Sequence, residues 1–245
     1  MSLVVALRGL DSLIIASESE ETVGYQSKRQ TNKLVRISGT DWTVVVGGAG
    51  GSKTINNAII RISETLAGKE CLSPAHLRDV IDEVLGIVHT KYIEPDPKHE
   101  GIFLVGGASI GKELYLFHTE KRITEIDEGL GYVSAGFGQD IAVYWLDRLQ
   151  FQSFDWEHAV AAAGFILAQA KQSAQFCGGD SQFCVLQVPP NPRWRLPGGS
   201  TTMEIDWNQD IQLGSLVTSE LEKVHLYLKR DDDYTDEHLE KSVEN

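Results

Sequence analysis

The sequence is poor in cysteine and positive charge, and it has no long apolar run. Its three cysteines, Cys71, Cys177 and Cys184, are odd in number, widely spaced and outside any CxxC pattern. That excludes a disulfide framework and a structural zinc site, and it points to a reducing compartment. None of the seven histidines falls at a metal-site or triad spacing, so neither a metal nor another cofactor is expected. Lys and Arg number 22 against 35 Asp and Glu, a formal net charge of -13. General nucleic-acid binding is excluded on that balance, because phosphates are neutralised by clustered cations. No stretch approaches the roughly 18 consecutive apolar residues of a membrane span, and no basic n-region with an apolar core opens the chain. A cytoplasmic protein with no membrane or nucleic-acid partner is the expectation.

What is present is a sequence of apolar segments long enough for a substantial core. Leu3-Val4-Val5-Ala6-Leu7 reads as a buried strand directly after Met1-Ser2, with no leader ahead of it. Strands follow at Leu13-Ile14-Ile15-Ala16, at Leu34-Val35-Arg36-Ile37 after a polar run over residues 17–31, and at residues 42–46, which end in Gly47-Gly48-Ala49-Gly50-Gly51. A helix capped by Ser52 carries Ile55, Ala58, Ile59, Ile62 and Leu66 on one face; a second starts at Ser73-Pro74 with Leu77, Val80, Ile81, Val84, Leu85 and Val88. The period then changes to strands at residues 102–105 and 114–117, joined by a loop over 106–112, and the meander continues at 122–124 and 132–133. A helix with Ile141, Trp145 and Leu149 follows, then an alanine-rich helix over 156–171 with Ser153 and Asp155 as cap candidates, and a strand over 182–188. Further on, residues 203–205 and 211–213 fit short strands and 216–228 a helix.

This order predicts two sheets packed face to face with helix pairs outside, an α+β, four-layer αββα sandwich. One domain spans residues 1–230, with an irregular insertion at about 189–210 that begins with four of the seven prolines. Residues 231–245 form an acidic, flexible tail.

The chemistry concentrates at the start. Once Met1 is removed, Ser2 carries a hydroxyl and a free α-amine on one residue, a nucleophile with its own base. An α-amine titrates at about 7.7 to 8.0, so part of it is neutral near pH 7 and can take the hydroxyl proton. A nearby ammonium such as Lys33 would lower that pKa, and a carboxylate such as Glu18 would hold the lysine.

The same pieces carry a resemblance: Ser2-Leu3-Val4-Val5-Ala6-Leu7, Leu13-Ile14-Ile15-Ala16-Ser17-Glu18, Lys33-Leu34, Val46-Gly47-Gly48-Ala49, Gly136-Phe137-Gly138 and Cys177-Gly178-Gly179. In this order, over about residues 2–188, the chain resembles the proteasome-type N-terminal-nucleophile hydrolases, most of all the β-type subunits. The resemblance implies Ser2 as nucleophile in the place of a threonine, Lys33 as the family's lysine, Glu18 in the place of an aspartate, and the Gly47 amide as oxyanion donor. It further implies cleavage of a peptide or unfolded-protein substrate whose strand pairs with the backbone near residues 20–22 and 47–49. The expected assembly is a homo-oligomeric ring or one shared with other proteasome-like subunits. Departures are Glu20 where an arginine is common, Phe137 in the place of a serine and Ala174 in the place of an aspartate, both supports of the terminal amine. Their loss implies a second reading, an inert structural subunit.

A more distant reading is nucleotide binding. Gly106-Gly107-Ala108-Ser109-Ile110-Gly111-Lys112 has phosphate-loop spacing, but Glu113 stands where Ser or Thr should bind magnesium. Residues 47–54 lie between a strand and a helix, with Ser52 in the place of the second required glycine.

Overall fold

The computed structural model describes residues 2–23, 27–95, 101–127, 131–149, 152, 154–187 and 202–205. Strands β1 (Leu3–Arg8) and β2 (Ser12–Glu18) are buried over nearly their whole length, so they read as apolar runs without alternation. The polar run after them is not a bare connector. It folds into β3 (Glu20–Val23) and β4 (Ser27–Gln30), paired with Glu20 opposite Gln30. Ion pairs from Glu21 to Arg29 and Glu20 to Lys28, each at 2.8 Å, link the two strands in place of apolar contacts.

β5 (Leu34–Ser38) and β6 (Trp42–Gly50) come next, and β6 runs on through the glycines that predict its end. Gly47, Gly48 and Gly50 pair with Val105, Leu104 and Ile102. Helix α1 (Ser52–Leu66) has Gly51 rather than Ser52 at its cap, and Thr54 Oγ1 donates to the Gly51 carbonyl at 2.7 Å. Helix α2 (Pro74–Val88) is capped by Ser73, which accepts from the His76 N–H at 3.2 Å, and it continues into a π-helical turn, His89–Ile93.

β7 (Ile102–Ile110) and β8 (Glu113–Glu120) absorb most of the predicted loop over 106–112. Gly106 and Gly107 face Phe117 and Leu116 in register, so their backbone is committed to the sheet and not to a phosphate. Gly47 to Gly50 likewise run on as strand β6 and do not form a loop ahead of α1, so neither glycine-rich stretch has the form of a phosphate loop. β9 (Ile123–Asp127) continues the meander, but β10 (Tyr132–Gly136) leaves it to pair with β1. Helix α3 (Gln139–Leu146) and helix α4 (Trp156–Ser173) follow, the latter capped by Asp155, which accepts from the His158 N–H at 3.0 Å. Ser153, the other cap candidate, lies outside the described residues. β11 (Ser181–Gln187) and β12 (Thr202–Ile205) complete the described elements, all within one compact unit, Met1–Trp207. The expected strand at 211–213, helix at 216–228 and tail at 231–245 fall outside the described residues.

Two five-stranded sheets result, β10-β1-β2-β11-β12 and β5-β6-β7-β8-β9, beside the two-stranded β3-β4. Every strand pairing among the described residues is antiparallel. Val4, Ala6 and Ile15 of the first sheet share one core with Val45, Val105 and Leu116 of the second. On the second sheet's other face, Val44, Leu104 and Phe117 pack with Ile59 and Ile62 of α1 and Ile81 and Leu85 of α2. Helix α4 lies on β2 and β1, brought close by buried alanines such as Ala159, Ala162 and Ala163.

The expected four-layer αββα sandwich is corrected by this arrangement. The chain is mostly antiparallel sheet, with four α-helices among the described residues and a third small sheet. Its helices do not form two even layers: α2 leans on α1 and the edge strand β9, and α3 contacts mainly α4 and β10. Periodicity along a helix shows which face is apolar but not which neighbour covers it, and the polar hairpin carries no apolar signal.

Phe117, 1 % exposed in the helix-side core, is expected to cost about 3–5 kcal/mol when changed to Ala, measured by urea denaturation. Ile123→Ala, at a site 63 % exposed, should stay within about 0.5 kcal/mol.

Candidate active site

Ser2 immediately precedes β1 and is 8 % exposed. Beside it β2 ends in Glu18, whose side chain is completely buried. A buried carboxylate must spend its lone pairs on donors. Glu18 Oε1 accepts from the Leu3 N–H at 3.1 Å and from Lys33 Nζ at 2.7 Å, and Oε2 accepts from the Glu20 N–H at 2.8 Å. Lys33 Nζ also donates to Ser2 Oγ at 2.7 Å and to the Glu20 carbonyl, which occupies all three ammonium protons. Its backbone is fixed from a distant strand: the Lys33 N–H donates to Gln182 Oε1 at 2.9 Å, and Gln182 Nε2 donates to the Thr31 carbonyl at 2.9 Å. Ser17 Oγ ties β2 to β1 by donating to the Leu3 carbonyl at 3.0 Å.

Burial holds the Lys33 ammonium below the usual lysine range, and the Glu18 carboxylate opposes that shift. The same cluster contains the Cys177 thiol, pushed up to about 11 by burial first and by Glu18 second. Lys171 of α4 donates to Ser181 Oγ at 2.8 Å; burial lowers its pKa, again against Glu18.

Three of the four predicted site residues, Ser2, Glu18 and Lys33, are thus joined by direct hydrogen bonds. Gly47 is placed by register, opposite Leu34, the residue after Lys33. It packs so closely that a Cβ there would press on Leu34 and Val4, each at 2.9 Å. Gln182, Ser17 and the Glu20 carbonyl escaped the sequence reading. Nothing local marks Gln182, because its contact spans 149 residues; the Ser17-Glu18-Ser19 run was the one available signal.

On the other side of Ser2 lies β10. Gly136 has φ +111°, and a Cβ there would overlap the Ser2 carbonyl, so only glycine suits the position. The Phe137 N–H donates to that carbonyl at 3.0 Å, and the Phe137 ring meets Phe176 edge on at 5.0 Å. Ala174 caps the end of α4 and brings no polar side chain.

Two backbone edges near the site carry no partner strand among the described residues. β3 pairs only with β4, and β6 extends through Gly48 to Gly50 beyond the point where β5 begins at Leu34. Glu21 of β3 lies within electrostatic reach of Ser52 at the start of α1; its pKa is lowered chiefly by the hydrogen bond to Arg29.

No protein-family model matches the chain, and no match is found among curated proteins. Solved structures do share its fold. Anbu from Hyphomicrobium sp. is similar with TM-score 0.69 at 14 % identity, over 93 % of this chain and 97 % of that one. Anbu from Yersinia bercovieri, described as an ancestral beta-subunit, gives 0.67 at 16 %, over 93 % and 96 %. The Anbu complex from Pseudomonas aeruginosa, described as a helical assembly, gives 0.64 at 16 %, over 93 % and 96 %. At such identities the likeness is one of fold.

The resemblance to a proteasome β-type subunit is corrected by these matches. These solved structures are Anbu proteins, one of them described as an ancestral beta-subunit, and none of them is described as a proteasome β-type subunit. The motifs that carried the resemblance all lie in strands and turns, so they report a shared scaffold and not the branch.

Glu18→Gln leaves the Lys33 ammonium buried without a counter-charge, and a loss of about 3–5 kcal/mol is expected by denaturant unfolding at neutral pH. The loss should shrink as pH rises. Lys33 is depressed in the folded state, so between that pKa and the ordinary lysine value the unfolded chain binds more protons and stability increases with pH.

Proposed function

We propose that this chain is a proteasome-related, Anbu-type hydrolase that cleaves peptide bonds with Ser2 as amino-terminal nucleophile. The observation that carries the reading is the buried chain of contacts from Glu18 through Lys33 Nζ to Ser2 Oγ, 2.7 Å at each step. Removal of Met1 supplies the base. Ser2 Oγ attacks the peptide carbonyl carbon while its proton passes to the α-amine; a C–O bond forms, and the oxyanion is met by the Gly47 amide. Collapse breaks the C–N bond, and the new ammonium returns its proton to the leaving amine. Water then attacks the ester by the same proton path, releasing the acid and restoring Ser2. Lys33, as an ammonium donating to Oγ, favours the alkoxide, and Glu18 keeps that ammonium charged and aimed.

An extended peptide or unfolded protein is the substrate these features suit. The edge of β6 at Gly48 to Gly50, and that of β3 beyond Glu20, whose own N–H and carbonyl are taken, offer backbone donors and acceptors to an added strand. Self-association is part of the proposal, supported by the helical assembly of the Pseudomonas Anbu complex; the closed ring has no comparable support.

Phe137 and Ala174 favour a second reading, an inert subunit that keeps Met1, since neither side chain can hydrogen-bond the amine. An intact mass of the purified protein separates the two: loss of one methionine supports the hydrolase, and retention supports the inert subunit. Ser2→Ala should lower peptide hydrolysis by roughly three orders of magnitude or more while the size-exclusion profile persists. Equal hydrolysis by the variant would remove Ser2 from the mechanism.

A further inference from the structure

We infer that Phe137 and Phe176 form the pocket for the leaving-group side of the substrate, selecting peptides whose first residue after the cut is aromatic or bulky aliphatic. The inference rests on the hydrolase reading and names the substrate class for that site. Strand β1 has β2 on one side and β10 on the other. Glu18, Lys33 and the Glu20 carbonyl all reach the centre from the β2 side, and so does the unpaired edge of β3. A strand added there places its acyl portion against β3 and β6. Its continuation beyond the scissile bond then crosses Ser2 toward β10.

What it meets there is apolar. Gly136 is locked against the Ser2 carbonyl, and a Cβ at Gly138 would press on Leu3 and Ala170, each at 3.0 Å. With both neighbours pinned inward, the Phe137 side chain projects outward and is 50 % exposed. Phe176, from the turn after α4, supports it edge on, with ring planes at 78°. Two aromatic rings from segments about forty residues apart thus meet at the residue whose backbone holds the Ser2 carbonyl, and the half-exposed Phe137 ring presents the aromatic surface assigned to the leaving-group side. Neither ring can donate to or accept from the peptide backbone conventionally, so recognition falls on side-chain bulk.

The test is digestion of a denatured protein by the full-length protein, with cut sites read by mass spectrometry. Wild type should enrich Phe, Tyr, Trp and Leu immediately after the cut. Phe137→Ala, and separately Phe176→Ala, should reduce that enrichment roughly threefold to tenfold and keep the preference on the acyl side. Circular dichroism and size exclusion would show that each variant is folded. Ser2-dependent products with unchanged preference in both folded variants overturn the pocket and leave the hydrolase standing. Wild type that yields no products, or products that Ser2→Ala also yields, overturns the hydrolase reading and this inference with it.

Discussion

Lys33 Nζ is the atom on which the rest of the site depends. It is a buried cation, its side chain 7 % exposed, and its protons go to Glu18, Ser2 and the Glu20 carbonyl. The acceptors come from two pieces of the chain, Ser2 ahead of β1 and Glu18 with Glu20 where β2 gives way to β3. The pair with Glu18 is retained although a buried ion pair adds little net stability, because removing either member strands the other. A pair of this kind specifies geometry: Glu18 also holds the Leu3 N–H at 3.1 Å, which fixes the first residue of β1 next to the ammonium.

That demand accounts for several local features. β2 ends at Glu18 so that the carboxylate faces the interior. The Glu20 backbone turns back over it, its N–H on Glu18 Oε2 and its carbonyl on Lys33. Gln182 clamps the Lys33 segment to β11, and Gly136 lets β10 close on the Ser2 carbonyl. The ammonium's depressed pKa and the raised Cys177 pKa have one leading origin, burial, which penalises the charged form of both groups.

The two flanks of Ser2 differ in chemistry. On the β2 side stand charges and open backbone edges suited to an extended chain. On the β10 side stand Phe137, where the resemblance placed a hydrogen-bonding serine, Ala174, where it placed an aspartate, and the ring of Phe176 against Phe137. The same apolar wall withholds polar support from the terminal amine and offers a surface to a substrate side chain. Phe137 is common to both properties, with Ala174 adding to the first and Phe176 to the second.

The sequence by itself determined that the first strand begins directly after Ser2, that Lys33 heads a strand, and that Ser73 and Asp155 cap helices, because the strands are marked by contiguous apolar runs and the caps by bonds three residues long. It also determined the apolar faces of α1 and α2 through their 3.6-residue period. Only the tertiary structure decided that β10 joins β1 and not the meander, since antiparallel pairing at a separation of more than one hundred residues leaves no periodic trace. It alone turned the polar run after Glu18 into a hairpin, drew both glycine-rich stretches into strands, and brought Gln182 to Lys33. Whether Ser2 lies beside an ammonium is a matter of long-range register, and register is set by how both faces of the sheets are buried, not by the residues around Ser2.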